Sequence, residues 1–415
     1  MEMESFLKKD RDTLLDYCVK VCYNAVSSRE AACAKERKQC MNRFAVDKLP
    51  KDEQLTLELS NLYEGFGYKR YRMAKFEEYT LYSDHRDFLP TQNVITFQGP
   101  SGRLMALKPD VTLSVIKNSQ LTDHGMTKLY YNETVYRGGF SGGDIHEFRQ
   151  IGAEQLGEID AYSSAEMVRM AGESLGRIDE DFILAISHMQ LIAGQLEQLG
   201  LSTSEEKQLM RLIRERNLHE LQTLCLEKGV EPEKLERLTG MLSLGGPLHE
   251  ALKTLRTLVT GEAMCEALRE LERIAALLAG CEYADRIVFD LTVINHLDYY
   301  NGIVFQGYVR RMPEAVLSGG RYDRLMHKVR KNMGAIGFAV YLDKLNLYYP
   351  NRPACDADIL VLKETDEAEE RLLAQVDAWM KQGFRVRVDL ARPEHYRAER
   401  TYRFTKQGLQ EVTTC

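Results

Sequence analysis

Residues Val293 to Phe305 read V-I-N-H-L-D-Y-Y-N-G-I-V-F and constrain the chain more than any other stretch. Apolar alternation across Ile287–Asp290 and Ile303–Tyr308 predicts a strand on either side. An acid, two tyrosines and an asparagine are thereby held between apolar runs. That is the composition of a buried polar and aromatic pocket wall.

The chain around this stretch has 415 residues, enough for two or three domains and a large core. Its formal net charge of −7 argues against a strongly basic nucleic-acid binder. No apolar run reaches membrane-spanning length, and M-E-M-E-S-F-L-K-K-D opens acidic, without a secretory apolar core. Nine cysteines without regular spacing read as free thiols in a reducing compartment, so a cytoplasmic protein is expected. Cys18, Cys22, Cys33 and Cys40 do not form the two short pairs of a zinc site, and no metal is expected.

Periodicity divides the chain. Residues 5–27 form an amphipathic helix with Leu7, Leu14, Leu15, Cys18, Val21 and Cys22 near one face, and residues 1–48 are read as an N-terminal helical extension. A helix is expected over 52–66, ending at Gly65 and Gly67. Strands are expected at Asn93–Gln98, Leu104–Leu107, Lys128–Tyr136 and Glu147–Leu156, the last two flanking a Gly-rich loop, Gly138–Asp144. That loop precedes a strand rather than opening a helix, so it is no phosphate cradle. After a helix at 160–176 and a strand at Phe182–Ser187, residues 189–280 are almost wholly helical. Within them, 204–262 is Leu-rich, charged and free of aromatic residues, as in a helical insertion. Strands resume at Asp285 and end near Tyr341, with a Gly-Gly turn at 319–320. Past a linker at Asn351-Arg352-Pro353, a strand (Ala357–Leu362), a helix (Glu367–Gln382) and a strand (Arg385–Asp389) start a βαβ unit, followed by a helix over Arg392–Arg400. The fold class is mixed α+β.

Four segments carry a family resemblance: A-L-K-P-D-V-T at 106–112, Y-R-G-G-F-S-G-G-D-I-H-E-F-R-Q-I-G-A-E-Q-L-G at 136–157, L-D-Y-Y-N-G-I-V-F at 297–305, and L-S-G-G-R-Y-D-R-L followed by G-A-I-G-F-A-V-Y-L-D-K-L within 317–345. In this order they resemble the core of class II histidyl-tRNA synthetases, and most closely the paralogous regulatory subunits of ATP phosphoribosyltransferase. The resemblance spans roughly 49–350, with a weaker echo in 355–415. It implies a class II synthetase-like antiparallel sheet flanked by helices, with a helical insertion at about 204–262. Residues 351–415 would be a truncated anticodon-binding-like α/β domain.

Selective binding of histidine needs carboxylates for its ammonium group and polar partners for both ring nitrogens. Asp110, Thr112, Gln150, Glu154, Tyr300 and Tyr322 supply such a set, and Gln150 and Glu154, four apart in a strand, share a face. Taken singly, Asp110 after Pro109 reads as a helix cap and Tyr300 as core. The resemblance implies that Asp110 (usually Glu in the family), Thr112 and Gln150 hold the ammonium, that Glu154 and Tyr300 hold the imidazole, and that Tyr299 and Tyr322 line the pocket.

The nucleotide half departs from the synthetase pattern. Asn295, followed by His296, stands where the synthetases place an arginine, and Lys344 after Asp343 replaces a second one. Gly139 replaces an adenine-contacting glutamate, and only Arg137 persists. Lysine keeps the charge but loses the bidentate fork. Lys75 replaces a proline of the dimer-forming motif. The resemblance therefore implies a regulatory subunit, not an enzyme, that binds histidine and needs no cofactor. It would form a homodimer within a hetero-oligomer with the short-form ATP phosphoribosyltransferase catalytic subunit, with no membrane or tRNA partner. A working histidyl-tRNA synthetase and a stand-alone histidine-sensing adaptor remain as alternatives.

Overall fold

The computed structural model describes residues 49–85, 94–118, 125–138, 144–293, 300–329, 333–348 and 355–412. The expected helix over 5–27 lies outside them. The described residues fall into two compact units, one within Leu55–Pro350 and one containing residues 355–412.

Helix α1 (Lys51–Gly65), whose residues from Leu55 onward belong to the larger unit, carries Asp52 and Glu53 in its first turn, favourable at the positive end of the helix dipole. Gly67, at φ 83°, turns the chain after it. Strands β1 (Lys69–Arg70) and β2 (Phe76–Glu78), one-turn helix α2 (Thr80–Ser83), strands β3 (Thr96–Gln98) and β4 (Leu104–Leu107) and helix α3 (Thr112–Asn118) follow. The long strands β5 (Thr127–Gly138) and β6 (Ile145–Gly157) lead to helix α4 (Ala161–Ile178) and strand β7 (Phe182–His188). Six helices then include α5 (Met189–Leu199), α6 (Thr203–Arg214), α7 (Leu218–Glu227), α8 (Pro232–Ser243), α9 (Leu248–Leu258) and α10 (Glu262–Leu278). Helix α6 opens with a capping box, in which Ser202 and Glu205 satisfy each other's backbone N–H. Strands β8 (Ile287–Phe289), β9 (Ile303–Val309) and β10 (Leu317–Arg321), helix α11 (Asp323–Lys328), strand β11 (Gly334–Tyr341) and helix α12 (Leu342–Tyr348) complete the unit.

Its main sheet runs β1-β5-β6-β11-β10-β9-β7-β8. Pairing is antiparallel except at the two margins, where β1–β5 and β7–β8 are parallel. A separate small antiparallel sheet has the order β2-β4-β3.

The period-two alternation of β6 divides two cores. Ile151 and Ala153 face a large cluster with α1, α4, α10 and the insertion helices, whereas Leu156 joins Tyr131, Val135, Tyr322 and Leu325 on the other side. On the larger cluster's side, the Phe338 ring stacks edge-on against Tyr63 at 5.7 Å and lies 6.3 Å from Phe305.

The second unit contains β12 (Ala357–Lys363), α13 (Glu369–Lys381), β13 (Val386–Asp389), β14 (Ala398–Thr405) and β15 (Gly408–Val412). Its sheet order is β13-β12-β14-β15, with β12 parallel to both neighbours and β14–β15 antiparallel. Ile359, Val361, Leu372 and Phe404 form its core.

Two expectations are corrected. Gly319 and Gly320 form no turn but lie inside β10, paired with β9 and β11. A Cβ on Gly319 would lie 2.5 Å from the Phe338 Cβ, and one on Gly320 2.7 Å from the Tyr300 ring. Close packing, not chain reversal, requires glycine there. Residues 392–397 are not helical, and β14 starts at Ala398. His395 sits at φ 60°, which breaks a right-handed helix.

Asp160 caps α4 by accepting a hydrogen bond from Ser163 N at 2.8 Å, and the Ser163 N–H and hydroxyl hold its carboxyl below the usual range. Asp160→Ala is expected to lower stability by about 1 kcal/mol, read as a lower urea midpoint at pH 7. Because this carboxyl is depressed, its contribution is present above the unfolded-state value and fades as pH falls through the folded one. The wild-type and variant midpoints should therefore converge in acid.

Candidate functional site

The segment Lys108–Asp110 is held against β5 by backbone and side chain together. Tyr136 N donates to Lys108 O at 2.9 Å, Arg137 Nε donates to Pro109 O at 3.0 Å, and the buried Lys108 ammonium pairs with Glu133. Glu133 also accepts from Met73 N at 3.1 Å. The chain then turns into α3, and Asp110 Oδ1 accepts from Leu113 N at 2.9 Å. The capping role expected of a lone Asp after Pro is thus present. Thr112, at the start of α3, is aimed at β6.

Gln150 and Glu154 are both buried on β6, and the Glu154 carboxylate is the centre of the cluster. Thr112 Oγ1 donates to Glu154 Oε1 at 2.9 Å, and the fully buried Tyr322 hydroxyl donates to Oε2. The register sets Glu154 opposite Gly337 on β11, and Gly337 opposite Gly320 on β10. A Cβ on Gly337 would lie 1.7 Å from Glu154 Oε2, so the carboxylate occupies the space that only glycine leaves. Tyr300 lies over Gly320 in the same way.

Burial pushes the Glu154 carboxyl up to about 8, against the hydroxyl donors of Tyr322 and Thr112 and with the help of the Asp110 charge. Burial also raises Asp110, opposed by the Leu113 N–H and by Arg137. Tyr300 is raised by burial and by its neighbours Tyr341, Glu154 and Asp110, while a hydrogen bond with Ser318 lowers it. Two buried acids, ringed by hydroxyls, form a receptor for a cation or an N–H donor. The buried Gln150 side-chain amide adds both a donor and an acceptor.

Asp110, Thr112, Glu154, Tyr300 and Tyr322 are brought together, and Gln150 lies on the same face of β6 as Glu154. Tyr299, Asn295, His296 and Gly139 lie outside the described residues. Sequence reasoning missed Tyr131, Ser318 and Tyr341. Burial and the charges of Glu154 and Asp110 push the Tyr131 hydroxyl well up, which places it at the cluster. Tyr341 shares a hydrogen bond with Ser318 and pairs across the sheet with Gln150. Ser318 stands within the quoted L-S-G-G-R-Y-D segment, but only the strand register links it to Tyr300 and Tyr341.

Lys344 and Arg137 are both engaged within the protein. Lys344 Nζ bonds Glu314 Oε2 at 2.7 Å and Ala315 O at 3.0 Å, and lies 5.2 Å from the centre of the Tyr341 ring. That hydrogen bond holds the Glu314 carboxyl below its usual range. Arg137 lies 5.7 Å from the Phe148 ring and attracts Asp110. Among the described residues no group of acids, histidines and cysteines could hold a metal ion.

Residues 46–345 match the family model described as histidyl-tRNA synthetase. The ATP phosphoribosyltransferase regulatory subunit of Thermoanaerobacter sp. is 30% identical over 285 residues, covering 67% of this chain and 73% of that protein. The chain belongs to the histidyl-tRNA synthetase-like family of ATP phosphoribosyltransferase regulatory subunits. Among solved structures, an ATP phosphoribosyltransferase regulatory subunit/histidyl-tRNA synthetase from Bacillus halodurans shares the fold with TM-score 0.73 at 24% identity, over 82% of this chain and 90% of that one. A chain of an ATP phosphoribosyltransferase complex from Thermotoga maritima gives TM-score 0.57 at 19% identity, over 69% and 96%. The family has the class II synthetase-like architecture described above.

Glu154 dictates a pH dependence. Its folded value is raised from 4.5 to about 8, so its contribution to stability is fully present below 4.5 and is lost as pH rises through 8. Glu154→Gln should remove this loss, so that its melting temperature gains on wild type between pH 5 and pH 8.5. Parallel melting curves across that range would contradict the assignment.

Proposed function

We propose that this chain is a non-catalytic regulatory subunit of ATP phosphoribosyltransferase that binds histidine at the Glu154 cluster. It completes the active complex with a short-form catalytic subunit, which condenses ATP with phosphoribosyl pyrophosphate in the first step of histidine biosynthesis, and it transmits histidine feedback to that subunit. In the bound state Asp110, Thr112 and Gln150 hold the ammonium, Glu154 and Tyr300 hold the imidazole nitrogens, and Tyr299 and Tyr322 line the pocket. A ligand N–H favours the Glu154 carboxylate, so binding below pH 8 expels a proton. Residues 49–350 act as the synthetase-like core with its insertion at about 204–262, and 351–415 as an anticodon-binding-like α/β domain.

The observation that carries this reading is a contrast within one site. The amino-acid half is a buried set of carboxylates and hydroxyls, while Lys344 is bound to Glu314 rather than open to a phosphate. Adenylation builds negative charge at the α-phosphorus, and losing a placed cation there removes orders of magnitude in rate. The likeness to the Thermoanaerobacter regulatory subunit and to a chain of the Thermotoga ATP phosphoribosyltransferase complex supports the partnership. No helix among the described residues is long and apolar enough to cross a membrane. A cytoplasmic homodimer within a hetero-oligomer is the arrangement this function calls for. Histidine binding then favours a less active arrangement of the complex, and the partner's substrates oppose histidine binding in turn.

Purified protein is expected to show no histidine- and ATP-dependent pyrophosphate exchange, yet to activate a short-form catalytic subunit. Clear exchange activity would make it a synthetase instead, and failure to activate would leave a stand-alone sensor. Calorimetry should show histidine binding with proton release at pH 7, lost in Glu154→Ala while the circular dichroism spectrum is retained. Unchanged affinity in that variant would remove the pocket assignment.

A further inference from the structure

Beside the end of the strand that carries Tyr322, on the side covered by α4 and α10, lies a second polar cluster. Arg321 Nε donates to Asp323 Oδ2 at 2.8 Å, and its guanidinium lies 3.9 Å from Glu270 Oε1 on α10. The Glu270 Oε2 atom is 3.2 Å from His188 Nε2, and Oε1 accepts from Ser164 Oγ at 3.3 Å. The tautomer of His188 follows from its partners. Nδ1 accepts from Gln190 N at 3.2 Å to cap α5, so Nε2 carries the hydrogen and donates to Glu270. Asn301 Nδ2 donates to Asp323 Oδ2 at 3.2 Å, and Asp323 Oδ1 accepts from Ala335 N at 2.9 Å. Asn301 N donates to Arg321 O at 3.0 Å. A Cβ on Gly302 would lie 2.9 Å from Arg321 Cδ, so the arginine stem lies directly across Gly302.

These bonds grip the residues next to the two pocket tyrosines. Asn301 follows Tyr300, and Arg321 and Asp323 flank Tyr322. We propose that Glu270 and His188 are positioning residues for the Glu154 site, fixing Tyr300 and Tyr322 through Arg321, Asp323 and Asn301; as a ligand effect this rests on the histidine-site reading above. Glu270 has the leading part because it is the only carboxylate of the chain that joins His188 on β7, Ser164 on α4 and Arg321 on β10 among the described residues. Burial pushes its carboxyl up, but the hydrogen bonds from His188 and Ser164 and the charge of Arg321 outweigh burial, so it stays ionised. An anion at this point keeps the Arg321 guanidinium over Gly302. Without it, Arg321 keeps Asp323 alone among the described residues, and Asp323 must also hold Asn301 and Ala335.

The test uses the full chain, without and with histidine. Glu270→Gln keeps the shape and removes the charge. His188→Asn keeps an acceptor for Gln190 N and removes the Nε2–H, so it serves where the first variant folds poorly. In ligand-free protein, amide hydrogen exchange at Asn301 and Ala335 is expected to speed up about tenfold in Glu270→Gln, and less in His188→Asn, with α4 amides unchanged. Histidine affinity by calorimetry is expected to fall about tenfold. Glu270→Asp should recover part of both effects, which loss of packing alone would not produce. Exchange at Asn301 and Ala335 within about twofold of wild type in both Glu270→Gln and His188→Asn overturns the proposal. If exchange accelerates but wild type binds no histidine, the clamp stands and the histidine-site reading falls.

Discussion

A buried carboxyl group needs hydrogen-bond partners, and the Glu154 site is organised by that need. Thr112 comes from the start of α3, Tyr322 from just past the end of β10, and the space for Oε2 from Gly337 on β11. Three segments far apart in the chain must be in register for one side chain to be satisfied. The antiparallel pairing of β6, β11 and β10 achieves it, because each strand places one residue of the row Glu154, Gly337 and Gly320 side by side. A one-residue slip of β11 would put Phe338 or Ile336 against the carboxylate.

The same need separates the Glu154 cluster from the surroundings of Lys344. The carboxylate half is buried and mutually bonded, so each member depends on the others. Lys344 is half-exposed and free to find the nearest acid, which is Glu314. The flexible stem of Lys344 carries its ammonium to Glu314 and to the Ala315 carbonyl.

How far the site was legible in the sequence depends on the distance over which its logic runs. The shared face of Gln150 and Glu154 follows from strand periodicity, and both prove buried. Asp110 as a cap after Pro109 also follows from local chemistry, as do the strand boundaries of β5 and β6 within a few residues. What local patterns could not carry was register. Gly319-Gly320 reads as a turn until Phe338 and Tyr300 are seen to need the room. Tyr341 and Ser318 become site residues only because β11 pairs with β6 and β10. The Glu270 clamp joins α10, β7 and β10, and no spacing along the chain announces it. Arg392–Arg400 failed for a different reason, since the left-handed backbone at His395 is a local exception that composition does not signal.

The row of glycines under the Glu154 site has a mechanical consequence. A sheet stripped of side chains on one face draws its stiffness from the other, and there Phe338 is wedged between Phe305 and Tyr63. The floor of a polar pocket is thus only as firm as a stack of aromatic rings on its far side. How little that floor yields is therefore set in part by rings that never enter the pocket.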